Sequence, residues 1–165
     1  MSPPASVRVG LVQTRTPATQ ASSMQSWESV REHFRYRGGH AGDVHSGFAF
    51  GSHHAPVHEA FLAYAQSSFS PGRPLMQAAQ ELTARMHREL RYESHSTDIN
   101  TPALEALQDK RGVCQDYAHV MIALCRSQGI PARYVSGYLF EDALGGDVAS
   151  HAWADVWLQI GRAHV

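Results

Sequence analysis

Cys114 stands where a thiol is most readily turned into a nucleophile. The run Arg111-Gly-Val-Cys-Gln-Asp-Tyr-Ala-His-Val-Met-Ile-Ala-Leu-Cys-Arg-Ser-Gln-Gly129 reads as a turn, a cysteine, a long apolar helix and a glycine stop. That places Cys114 at or beside the helix start. The thiolate is the attacking species, and a free cysteine keeps its proton up to about pH 8.5. The backbone N–H groups and partial positive charge of a helix N-terminus favour the anion. The N–H of Cys114 is also placed to hold an oxyanion formed after attack on a carbonyl. What remains to be supplied is an imidazole from another element, to take the thiol proton and return it to a leaving group.

His151 fits that need best. It opens a predicted strand beside a loop, where a side chain can face a cleft. His119 is nearer in sequence but lies five residues along the helix, about 140° round from Cys114 at ~100° per residue. It is expected to point elsewhere and to serve packing or hydrogen bonding. Cys125, inside the apolar helix, is read as a small core residue.

The elements that must position these groups follow from periodicity. Leu75, Ala79, Leu82, Met86 and Leu90 recur at helical steps behind the break Ser70-Pro-Gly-Arg-Pro74, and predict an amphipathic helix. Val57, Phe61, Leu62 and Tyr64 suggest a shorter helix before it, and residues 26–34 another. Thr101 and Pro102 open a further helix, with Thr101 as its cap and with Leu104 and Leu107 inward. The helix carrying Cys114 is apolar nearly all round, so it should be central and buried. Gly129 stops it and Pro131 prevents its resumption. Residues 132–140 and 151–158 read as strands, with a glycine-containing loop between them. Helices first and strands afterwards give an α+β class. Upstream, Val7 to Val12 suggests one strand in an otherwise Ser-, Pro- and Thr-rich arm, and Phe48-Ala-Phe50 a short strand in a loop.

Composition excludes several classes. Charged residues make up 18% of the 165 and the net charge is -1, so no basic face for nucleic acid is expected. No apolar run approaches the ~20 residues of a membrane span. The first ten residues show no apolar core of a signal peptide. Two cysteines eleven residues apart on one helix are separated by about 16 Å, too far for a disulfide. A reduced, cytoplasmic setting is expected from that. The oligomeric state is left open.

Three motifs together resemble the bacterial branch of the transglutaminase-like superfamily: Arg111-Gly-Val-Cys-Gln-Asp-Tyr-Ala-His119, Gly129-Ile-Pro-Ala-Arg-Tyr-Val-Ser-Gly-Tyr138 and Ser150-His-Ala-Trp-Ala-Asp-Val156. Phe69-Ser-Pro-Gly-Arg-Pro74 and Thr97-Asp-Ile-Asn-Thr-Pro102 are similar to that branch too. The resemblance runs from about Pro56 to Leu158. It implies a papain-like core in which a central helix bears the nucleophile and packs on an antiparallel sheet. It implies Cys114 as nucleophile and His151 as general base and acid, in acyl transfer at amides of protein or peptide substrates. The reaction would be peptide or isopeptide hydrolysis, or glutamine-to-amine transfer. It implies no metal and no organic cofactor.

The chain departs from that pattern at the third triad member. The family places an aspartate on the strand after the histidine strand, and no such strand is expected here. Asp155 is the only acidic residue beyond His151. Four residues along a strand span about 13 Å, so Asp155 cannot bond the His151 ring; it is read as a solvent-facing or sheet-edge carboxylate. The closing residues Ile160-Gly-Arg-Ala-His-Val165 resemble the in-frame translation of a common sequencing adapter, which would end the native chain near Leu158 or Gln159. Finding those six codons in intact genomic DNA would overturn that reading. The expected division is an arm or remnant of a β-rich domain over 1–55, a core with an incomplete sheet over 56–159 and a non-native tail over 160–165. This exact chain is expected to be weak or inactive beside its parent enzyme.

Two rival classes remain. His40, His45, His53, His54 and His58 raise zinc or nickel binding, but no Cys-x-x-Cys or His-Glu-x-x-His spacing accompanies them, and a polar histidine-rich loop is the simpler reading. The other rival is an interaction domain that keeps the fold without the chemistry.

Overall fold

The computed structural model describes residues 24–37, 43–93, 100–140, 148–158 and 161–164. The expected strand at Val7 to Val12, His40 and most of the N-terminal arm lie outside them. In chain order the elements are α1 (Trp27–His33), a 3-10 helix (Val44–Ala49), α2 (Glu59–Gln66), α3 (Leu75–Glu89) and β1 (Arg91–Tyr92). They continue with α4 (Ala103–Asp109), β2 (Arg111–Gly112), α5 (Cys114–Ser127), β3 (Ala132–Phe140), β4 (Val148–Leu158) and β5 (Gly161–His164). This is the α+β arrangement with a small antiparallel sheet that the sequence predicts.

α5 is the axis. Val120, Met121, Ile122, Ala123, Leu124 and Cys125 are all buried, and the helix packs on α2, α4, β3 and β4. A helix apolar on nearly every side needs partners on every side, and the fold provides them. α3 buries the stripe Leu75, Ala79, Leu82 and Met86, with Leu90 buried just beyond its end. In α2, Phe61 and Ala65 are buried, but Leu62 and the preceding Val57 are exposed. The expected apolar set therefore splits: Val57 precedes the helix, and Leu62 lies about 100° round from the inward-facing Phe61, which turns it outward. Phe48-Ala-Phe50 forms no strand but the end of the 3-10 helix, whose cap Asp43 accepts the His45 N–H at 2.8 Å. The cap of α4 is Pro102, without a side-chain cap bond, rather than Thr101.

β3 and β4 form a long antiparallel pair, Ala132 opposite Val156 through Phe140 opposite Val148. β4 thus begins at Val148, three residues before His151, because the hairpin ladder continues towards its turn. β5 pairs antiparallel with β4, Leu158 opposite Gly161 and Asp155 opposite His164. A strand beyond the histidine strand therefore does form, contrary to expectation, but none of its residues is acidic.

Arg126 ties the layers together. Its Nε reaches the Phe48 carbonyl at 3.0 Å and the Ala132 carbonyl at 3.1 Å; Nη2 reaches the latter at 2.9 Å and Nη1 the Ser52 hydroxyl at 2.9 Å. A planar fork serves several acceptors where a lysine ammonium cannot keep the same geometry. Arg126→Lys should cost about 1–3 kcal/mol in urea unfolding, since half-buried carbonyls lose their donors.

Candidate active site

Cys114 is the first residue of α5 and is partly exposed. The entry to the helix is tightly determined. Lys110 adopts a left-handed conformation at φ 53° and turns the chain out of α4. β2 then runs parallel to β1, with Arg91 N–H to the Lys110 carbonyl at 2.8 Å and Glu93 N–H to the Gly112 carbonyl at 3.1 Å. Val113 is the N-cap and has no side-chain acceptor, so only half of a capping box forms. Asp116, at the third helical position, accepts the Val113 N–H at 2.8 Å. Its side chain is 1% exposed. Gly112 is required by that packing: a Cβ there would lie 2.7 Å from the Asp116 Cβ and 2.8 Å from Oδ2.

Two tyrosines lie close enough to the sulfur to feel its charge. Burial, and then the neighbouring Cys114, push the Tyr92 hydroxyl above its ordinary value. Burial, Cys114 and Asp116 do the same for Tyr134. Tyr117, pushed up to about 12 chiefly by burial, donates to the Leu90 carbonyl at 2.7 Å and binds α5 to the end of α3. The sequence reading missed Tyr92, Tyr134 and Asp116. Only Asp116 left a signal, an acidic residue three positions after the cap, hidden because the cap itself is Val.

His151 lies within β4, half-buried, opposite Gly137 of β3. It therefore does not open the strand as expected. Its ring meets Trp153 edge-on at 4.9 Å. Trp153 also leans over Gly137, where a Cβ would lie 2.9 Å from the indole. Gly137→Ala should therefore displace Trp153 and, with it, the His151 ring; a changed indole fluorescence with native helical circular dichroism would show it. Burial lowers the His151 pKa, so the imidazole is neutral at pH 7. α5 packs directly on β4, so the cysteine and histidine sit on neighbouring elements. Among the described residues no carboxylate bonds the His151 ring.

Asp155 is not a solvent-facing or edge carboxylate. It is 2% exposed and takes Arg133 Nε at 3.2 Å and Nη2 at 3.1 Å on Oδ2. Arg133 also lies over the Trp157 ring. β4 is paired on both edges, so Asp155 is no edge residue, and Arg133 from the neighbouring strand covers its carboxylate. Cys125 is fully buried and its thiol is pushed up to about 12, which makes it inert.

His119 is a packing residue, as expected, yet it does not point away from the site. Its ring stacks between His54 at 5.1 Å and Tyr134 at 5.0 Å, and Tyr134 borders Cys114. Nδ1 is buried without a partner. Burial first, and then His54 and Arg126, lower its pKa against the opposite pull of Asp116. A histidine harder to protonate when folded contributes stability that is full above its unfolded value of about 6.5 and is lost as pH falls through the folded one. The urea midpoint should therefore drop between pH 7.5 and 5.5, and drop less in His119→Phe. No group of three His, Cys, Asp or Glu among the described residues is arranged to hold a metal ion.

The family profile of the transglutaminase-like superfamily matches residues 62–163. The chain belongs to the transglutaminase-like superfamily. An uncharacterised protein of Mycobacterium tuberculosis is 37% identical over 145 residues, 84% of this chain and 45% of that protein. One of Mycobacterium leprae is 46% identical over 74 residues, 42% of this chain and 26% of that protein. The chain thus spans less than half the length of these relatives. Among solved structures, a candidate cysteine protease of Cytophaga hutchinsonii superposes with a TM-score of 0.61 at 28% identity, covering 78% of this chain and 44% of that one. The transglutaminase-like match takes in α5, β3 and β4, the elements that carry Cys114, Tyr134 and His151.

Proposed function

We propose that this domain carries out cysteine-dependent acyl transfer at amide bonds of proteins or peptides, with Cys114 as nucleophile and His151 as general base and acid. The observation that carries the reading is a partly exposed cysteine at the first position of a long buried helix whose cap supplies no competing acceptor. In the first half-reaction His151 takes the Sγ proton, Sγ bonds to the carbonyl carbon, and the oxyanion meets the first-turn N–H groups. The imidazolium then protonates the amine as the C–N bond breaks, leaving a thioester. In the second, water or an amine attacks the thioester and gives its proton to His151, and the thiol is restored. Hydrolysis and glutamine-to-amine transfer differ only in that second nucleophile.

Strand alternation puts Tyr134 in the row of Ala152 and Ala154, and His151 in the other row with Trp153. In this reading the thiol and imidazole pair at the margin of the sheet. The orienting carboxylate, which fixes the imidazole tautomer, is not among the described residues. In serine proteases its loss lowers turnover by ~10⁴, so weak turnover is the expected state of this chain. That no carboxylate among the described residues bonds the His151 ring is also what favours the second reading, an interaction domain that keeps the fold. Incubation with glutamine peptides and a labelled amine, read by mass spectrometry, separates the two. Slow amide cleavage or amine incorporation that disappears in Cys114→Ala supports the enzyme; a Cys114 no more reactive than a free thiol supports the interaction domain.

A further inference from the structure

Asp116 is a buried carboxylate to which the acyl-transfer scheme gives no task. Its oxygen is bonded instead to the backbone N–H of Val113, the residue immediately before the nucleophile, at 2.8 Å. Gly112, the residue before that, lies so close that any Cβ would strike the same carboxylate. On its other side the Gly112 carbonyl accepts the N–H of Glu93, the residue just after β1. The two residues leading into Cys114 are therefore gripped between Glu93 and Asp116. The cap offers no second hold, because Val113 has no side-chain acceptor. In an ordinary capping box the cap oxygen would take a first-turn N–H as well.

We propose that Asp116 is a positioning residue: its carboxylate sets the Gly112–Val113 turn, and so the direction of the Cys114 sulfur, while leaving the first-turn N–H groups uncapped by the N-cap side chain. The inference rests on the nucleophile reading above, and it locates the effect in geometry rather than charge. Asn keeps the acceptor in place without the charge. Glu keeps the charge but moves the acceptor by one methylene, into space that Gly112 already fills.

The test compares two reactions of Cys114 in the full chain, with the labelled residue confirmed by peptide mass spectrometry. In acylation by p-nitrophenyl acetate, Sγ bonds to the acetyl carbon, the ester C–O bond breaks, nitrophenolate leaves and the thiol proton passes to base. In alkylation by iodoacetamide, Sγ bonds to the methylene carbon and iodide leaves, with no oxyanion to hold. Asp116→Asn should keep the ratio of acylation to alkylation within about threefold of the unaltered chain, and Asp116→Glu should lower it by about tenfold or more. Equal ratios in Glu and the unaltered chain, or an equal fall in Asn and Glu, would overturn the proposal. If the unaltered chain acylates no faster than free cysteine, the acyl-transfer reading fails. Hydrogen exchange at the Val113 amide then still decides the positioning claim. Protection kept in Asn and lost in Glu supports it; the same protection in both overturns it.

Discussion

Leu124→Ala should unfold the domain at a much lower urea concentration, with a loss of about 2–5 kcal/mol. Leu124 is 0% exposed in the last turns of α5, within the cluster shared by α2, α3 and the sheet. Packing on several sides leaves little freedom for neighbours to collapse into the space. The upper half of that range then applies. Typical domains hold only about 5–15 kcal/mol in total, so the loss is a large share of what keeps Cys114 at a helix start. A shift of the midpoint with an unchanged slope is the expected signature. A cost under about 0.5 kcal/mol, the usual value for a surface substitution, would mean that α5 is not the central element.

His151→Ala should lower acylation of Cys114 at pH 7 by about 10²–10⁴, the usual range for a positioned general base. The side chain is half-buried beside Trp153, so stability should change far less than in Leu124→Ala. The pH profile adds a second check. Burial holds the His151 pKa below its ordinary value, so the base form is present at pH 7 and persists on acidification further than in a free histidine. The rate should then fall only as pH passes below about 6.5, and His151→Ala should remove that limb. An unchanged acylation rate would assign the proton transfer elsewhere.

Much of this molecule is legible in its residues, and the parts that are not have physical reasons. The bounds of α5 follow from Gly112, Gly129 and Pro131, and the α3 stripe follows from spacing alone. β3 is legible from its apolar run, but the start of β4 is not, because cross-strand pairing rather than side-chain type extends it to Val148. Asp155 was misread because sequence does not show that β5 covers one edge of β4 and Arg133 the carboxylate. Asp116 went unseen because its partners are a backbone N–H and a missing Cβ, neither of which has a residue type. His119 stacks on Tyr134 only because β3 comes back across α5, a tertiary fact that helical angle does not contain.

The alkylation rate of Cys114 against pH, in the unaltered chain and in His151→Ala, tests the central claim most directly. An activated pair predicts an inflection well below the free-thiol value of about 8.5, moved up towards it in His151→Ala. An inflection near that of a free thiol, the same in both proteins, would contradict it.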